Sequence, residues 1–235
     1  MILGALLLAI GLADLARPSD RAPSRAEHVR AWVILIAAVV ALSWVTAQPA
    51  GIAVTAVGIG GAWIVLGTRP RTAIAGLFVL AAGLAAAVFG GDPDAGAGSP
   101  LDLAWQALRP QPLAGVDAAT AVLTVGALTF LVNSANLVTR VVTSRALRET
   151  RGEERTAAVL RGGRFLGPIE RIVIVGLVLA GLPGGIAVVV TAKSVIRFPE
   201  ISGSAQREVD AEYFLIGSGV SWGLALLAGL WISVQ

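Results

Sequence analysis

The chain reads as long apolar blocks parted by short polar or charged segments. The first block is Ile2 to Ala16, and Arg17, Arg21, Arg25 and Arg30 follow it. A second runs from about Ala31 to Thr46, and the uncharged turn Gln48-Pro49-Ala50-Gly51 leads into a third that ends near Gly67. After Arg69-Pro70-Arg71 a fourth runs from Thr72 to Phe89. A Gly/Pro/Asp-rich loop covers 90–117, a fifth block covers Ala118 to Thr139, and a last one covers Tyr213 to Val234. Blocks near the ~20 residues that cross ~30 Å of hydrocarbon read as spanning helices. Their Ala, Leu, Val and Gly content lacks the alternation of barrel strands. The pattern predicts an all-α fold, a polytopic transmembrane helical bundle forming one domain over 1–235. The first block reads as a retained helix, because no basic residue precedes it as in a secretory signal.

Residues 168–198 are too long for one ordinary span, and Pro183-Gly184-Gly185 interrupts them. Pro and Gly break helical hydrogen bonding, so two short helices in a hairpin are expected, with one long kinked helix as the alternative. The hairpin gives about eight spans with both termini outside; the kinked helix gives seven. With eight, the Arg-bearing loops 17–30, 69–71, 140–164 and 199–210 all face the cytoplasm. The outer loops then hold Asp92, Asp94, Asp102 and Asp117 against Arg109 alone, as the positive-inside rule favours. Within 90–117, Ser99-Pro100-Leu101-Asp102 has the form of an N-cap, a Pro at the first helical position and an acidic first turn. The alternatives there are a short surface helix carrying Leu101, Trp105 and Leu108 on one face, or a solvated loop. Pro49-Ala50-Gly51-Ile52-Ala53-Val54 also echoes Pro183-Gly184-Gly185-Ile186-Ala187-Val188, which suggests a weak four-plus-four repeat of 1–90 and 118–235.

Composition agrees with a membrane protein, for 56% of residues are hydrophobic and 14% charged. A soluble domain carries about 25% charged residues. The net charge of +3 does not point to nucleic acid, because the Arg residues sit at block ends as topology signals do. The absence of Cys excludes disulfides and thiolate chemistry. His28 is the only histidine and reads as a solvated residue of a charged loop. No P-loop, His-Glu-x-x-His or Gly-x-Ser-x-Gly motif occurs, so no cofactor or metal is expected and an enzyme is disfavoured.

The candidate chemistry lies in charged and amide residues at span ends. Glu170 and Arg171 open the sixth span, Lys193 lies in the seventh with Arg197 near its end, and Glu212 opens the eighth. Asp14 ends the first span, and Asn133 and Asn136 end the fifth. On the eight-span topology all fall in the cytoplasmic third of the membrane, where charge pairs or lines a wet cavity. The competing reading makes them interfacial anchors and an interhelical amide pair. Of 18 Lys and Arg residues, Lys193 is the sole lysine. A compact ammonium where Arg is the default suggests a buried pair, with snorkelling as its competitor. Gly217/Ser221 and Gly219/Gly223 have the small-x-x-x-small spacing of close helix packing, within the chain or between copies of it.

Gly163-Arg164, Gly167-Pro168, Glu170-Arg171, Ala192-Lys193, Arg197-Phe198-Pro199-Glu200, Glu212-Tyr213-Phe214-Leu215-Ile216-Gly217-Ser218 and Ser221-Trp222 form a recognisable set. Over about residues 130–235 the chain resembles a family of uncharacterised bacterial polytopic integral membrane proteins. The resemblance implies an inner-membrane, multi-pass protein and points to the same charged residues, but it carries no activity. Members often have Gly after the Lys, where this chain has Ser194. The leading expectation is a transporter- or channel-like protein whose polar site is formed by Glu170, Arg171, Lys193, Arg197, Glu212, Asn133 and Asn136. The alternative is an interaction or sensory protein whose Arg-rich loop 140–164 binds anionic lipid or a partner. A lipid-headgroup enzyme with Glu170 or Glu212 as base comes third.

Overall fold

The computed structural model describes residues 1–18, 21–67, 71–90, 96–108, 115–151, 163–202 and 207–235. For 146–151, 163–165, 197, 199–202 and 207–210 it describes the backbone alone. Ten helices and no strand occur among the described residues: α1 Ile2–Leu15, α2 Arg25–Val45, α3 Ala50–Leu66, α4 Ala73–Phe89, α5 Pro100–Leu108, α6 Ala118–Val132, α7 Ser134–Arg151, α8 Gly163–Leu179, α9 Pro183–Ser202 and α10 Arg207–Ser233. They fall into two compact units, Met1–Ser134 and Ala135–Gln235.

Local chemistry explains most of the helix ends. Ser24 and Glu27 form a reciprocal capping box, with Ser24 N–H donating to Glu27 Oε2 at 2.7 Å and Glu27 N–H to Ser24 Oγ at 3.3 Å. This pair starts α2 at Arg25, six residues before the start expected from hydropathy, and puts His28 on the helix instead of in a loop. Asp117 caps α6 by accepting from Thr120 N–H at 2.7 Å. Ser99 accepts from Asp102 N–H at 3.3 Å and starts α5, so the short helix forms, and Trp105 Nε1 donates to Val116 O at 2.8 Å.

The expected break at Pro183-Gly184-Gly185 falls slightly earlier. At the end of α8, Leu182 N–H donates to Leu177 O at 2.9 Å and Gly181 N–H to Val178 O at 3.0 Å. That is the Schellman pattern, with Gly181 left-handed at φ 66°. Pro183 then opens α9, where its missing N–H costs nothing. The turn from α2 to α3 is built in the same way: Gln48 N–H donates to Ser43 O and Ala47 N–H to Trp44 O, with Ala47 at φ 53° ahead of Pro49.

In the first unit α1 is the central helix and packs against α2, α3, α4 and α6. It meets α6 almost backbone to backbone. A Cβ on Gly4 would lie 2.6 Å from the Leu123 backbone, and one on Gly11 would lie 2.8 Å from Phe130 N. Leu6, Ala9, Ile10 and Ala13 of α1 are buried as well. In the second unit α8 packs against α9 and α10, with Ile174, Val175 and Ala225 buried and Gly229 set against Val178.

Among the described residues, two helices are long and apolar enough to cross a membrane: Arg25–Val45, with 21 residues, and Ala211–Ser233, with 23. A third span arises if Ala118–Val132 and Ser134–Arg145, broken at Asn133, act together. That is fewer than the eight spans expected, because Ile2–Leu15, Ala50–Leu66, Ala73–Phe89 and Pro183–Ile196 are apolar but short. A helix of 17 residues such as α3 covers only ~25 Å. The outward faces of the helices are apolar: Val33 on α2 is 60% exposed and Trp44 is 74% exposed. An apolar helix with an apolar outer face suits lipid rather than water.

Candidate functional site

In the second unit, Glu170 and Arg171 lie next to each other on α8, so successive side chains point about 100° apart and reach different helices. Glu170 faces α9, where Lys193 Nζ donates to its Oε2 at 2.5 Å. The Lys193 side chain is 15% exposed and that of Glu170 8%. Two aromatic rings of α10 flank the ammonium, Trp222 at 5.4 Å and Phe214 at 6.0 Å to the ring centres. These distances lie within the range of cation–π attraction. Arg171 is fully buried and turns to α7, donating from Nη2 to Asn136 Oδ1 and from Nε to Gly167 O at 3.1 Å. Gly167 makes this possible, since a Cβ there would sit 2.9 Å from Arg171 Nη2.

Thr139 Oγ1 and Trp222 Nε1 of this unit are buried without a hydrogen-bond partner, and so is Ser134 Oγ, the last residue of the first unit. Buried polar groups are nearly always paired, so these three are exceptions among the described residues. Glu212 is half-buried on α10 and forms no ion pair with a described residue. Arg197 lies on α9, with its side chain outside the described residues. A Cβ on Gly217 would lie 3.4 Å from Thr143 Cγ2 and Ser221 is buried, whereas a Cβ on Gly219 or Gly223 would meet nothing within 4 Å.

Asn133 belongs to another network, in the first unit. Asp14, Arg17 and Trp63 are buried there at the ends of α1 and α3. Arg17 donates to Asp14 Oδ1 through Nη2 and, at 2.9 Å, through Nε. Its Nη1 reaches Ile64 O at 3.3 Å, and Trp63 Nε1 donates to Asp14 Oδ2 at 2.9 Å. The guanidinium lies 5.9 Å from the Trp63 ring centre. Asn133, at φ −124° and ψ −42°, leaves the helical path, and its Nδ2 donates to Asp14 O and, at 2.9 Å, to Arg17 O. The amide side chain thus serves the Arg17 carbonyl beyond the end of α1 and adds a second bond to the Asp14 carbonyl, which already accepts from Arg17 N–H at 3.0 Å.

The sequence marked Asp14 and Asn133 but not Arg17, which looked like a loop topology charge, nor Trp63. The Asp14/Arg17 spacing of three positions at the end of an apolar block was the available signal. Arg145 and Arg148, placed in a loop by the sequence, fall on α7, which runs unbroken to Arg151. Asp92, Asp94, Arg109 and the Arg-rich stretch 152–162 lie outside the described residues. No three His, Asp or Glu side chains gather as metal ligands among the described residues. In comparisons with protein-family models, curated proteins and solved structures, nothing matches the chain.

Proposed function

We propose that the chain is a multi-pass inner-membrane protein that passes a small polar solute through a site near the inner leaflet. The site comprises Glu170, Lys193, Arg171 and Asn136. The eight spans of this reading are α1, α2, α3, α4, α6 continued into α7, α8, α9 and α10, with the short helices thinning the bilayer locally. The like-built turns before Pro49 and Pro183 support a four-plus-four repeat, as do the like sequences that follow them. The resemblance over 130–235 supports a bacterial membrane family for the same region.

The observation that carries the proposal is the Glu170–Lys193 pair, withdrawn from solvent yet set beside Trp222, whose indole N–H is unspent. Charge inside a membrane is expensive and marks solute or proton pathways. A purely structural pair would gain by closing every donor around it. The test is flux in proteoliposomes, with a panel of monovalent ions, protons and small polar dyes. Wild-type protein should carry at least one of them, and Lys193→Met with Glu170→Gln should not. A folded, inserted protein inert to the whole panel refutes transport.

A second reading takes α7 as a lipid sensor, because the helix carries its Arg residues as far as Arg151 without a break. Selective retention of anionic lipid by inert protein would favour it.

A further inference from the structure

The first unit contains a cleft of about 200 Å³ between α1, α2, α3 and α4. It lies where α1 and α3 begin and α2 and α4 end, at the opposite end of α1 from Asp14 and Arg17. The space exists because α4 and its C-cap line it only with Gly83, Ala86, Ala87 and Gly90. No Asp, Glu, Lys, Arg or His is among its lining residues. Its polar members are Ser43, Thr46, Gln48 and Thr55.

Two of these have already used their protons. Thr46 Oγ1 donates to Leu42 O at 2.6 Å, and Thr55 Oγ1 donates to Gly51 O at 2.8 Å. Gln48 Nε2 donates to Thr46 O at 3.4 Å. Gln48 Oε1 is buried and accepts from nothing. The cleft is therefore an apolar hollow with one buried acceptor unmet, and Ser43 brings the one lining hydroxyl that no hydrogen bond occupies. We propose that it binds a neutral amphiphile, an aliphatic chain bearing a hydroxyl, of the monoacylglycerol kind. The hydroxyl donates to Gln48 Oε1, and the chain lies against the small residues of α4. A phosphate or carboxylate head is excluded, since no cation on the lining would offset its desolvation. A wholly apolar chain leaves the amide oxygen unmet.

The test uses the full chain in detergent, with native mass spectrometry counting bound lipid at rising concentrations of three probes: monoolein, methyl oleate and oleoyl lysophosphatidate. Wild-type protein should retain monoolein best. Gln48→Met should weaken monoolein about fivefold while leaving methyl oleate unchanged. Ala87→Phe should fill the hollow and abolish both. Should Ala87→Phe fail to fold, the Gln48→Met comparison decides alone. Equal binding of monoolein and methyl oleate by wild-type protein, or an unchanged monoolein affinity in Gln48→Met, overturns the proposal. So does tighter binding of the lysophosphatidate. Water as the sole partner of Gln48 would show as no bound lipid at all, which also overturns it.

Discussion

Replacing Lys193 by Met removes an ammonium held 2.5 Å from Glu170 Oε2 and faced by Trp222 and Phe214. The carboxylate, 8% exposed, is then left without its cation. Breaking a buried pair from one side costs about 3–5 kcal/mol, and the residual exposure of Lys193 favours the lower end. Glu170→Gln should cost less, about 1–2 kcal/mol, because the rings still attract the ammonium and the amide still accepts a hydrogen bond. Both changes together remove the uncompensated charge, so the double variant should lie within about 1 kcal/mol of wild type. The coupling in the double-mutant cycle is then about 3 kcal/mol. For a chain of this length 1 kcal/mol corresponds to roughly 2–4 °C in Tm by soluble-protein scaling. Thermal unfolding in detergent, read by fluorescence-detected size exclusion, should show Lys193→Met lowered by about 6–12 °C and the double variant largely recovered. A coupling below about 0.5 kcal/mol would refute the reasoning, since independent sites add to within that margin. An unshifted Lys193→Met would mean that the ammonium reaches headgroups instead.

Trp63→Phe leaves Asp14 Oδ2 without its donor at 2.9 Å and should cost about 1–3 kcal/mol in the same melting assay. Gly167→Ala should destabilise by about 1–3 kcal/mol through crowding of Arg171, whereas Gly219→Ala, which meets open space, should be neutral or slightly stabilising. Ala47→Gly should raise stability by several tenths of a kcal/mol to about 1 kcal/mol by relieving a left-handed alanine, and an unchanged Tm would contradict φ 53°. The backbone N–H of Thr120 holds the Asp117 carboxyl below its ordinary range. Its stabilisation is therefore present above the unfolded value and lost as pH falls from about 4 through the folded value. Asp117→Asn, which keeps an acceptor, should flatten that acid limb of a stability–pH curve. On the eight-span topology Gly184→Cys labels with an impermeant thiol reagent from outside intact cells and Ser204→Cys does not. The absence of native Cys gives a clean background.

Hydropathy was enough to place most of the helices, because an apolar block has no soluble alternative in a chain so poor in charge. Where it failed, a single side chain was acting on the backbone. Ser24 and Glu27 pull the start of α2 into a segment that composition assigned to a charged loop. Asn133 stops α6 inside an apolar run, since its amide serves the carbonyls of Asp14 and Arg17 and its own backbone leaves the helix to reach them. The candidate site was half legible for the same reason. Rarity in an apolar setting exposed Glu170, Arg171 and Lys193, but partners are tertiary facts. Hydropathy grouped Asn133 with Asn136, three positions on, yet the first serves α1 and the second Arg171.

The hydrogen bonding of the two charged networks differs more sharply than their charges do. In the Asp14 network each carboxylate oxygen accepts from a neighbour and Arg17 reaches both the carboxylate and a carbonyl, as a lock between α1 and α3 requires. Such closure leaves nothing to offer a solute. Glu170 and Lys193 share one hydrogen bond, Nζ to Oε2, and Trp222 Nε1 beside them has no partner. Leaving a buried donor open costs about 1–3 kcal/mol, a penalty the packing of α8 against α10 must absorb. A bound solute that accepts from the indole would remove that penalty. Of the two networks, the second is therefore the one in which the proposed transport would place its solute.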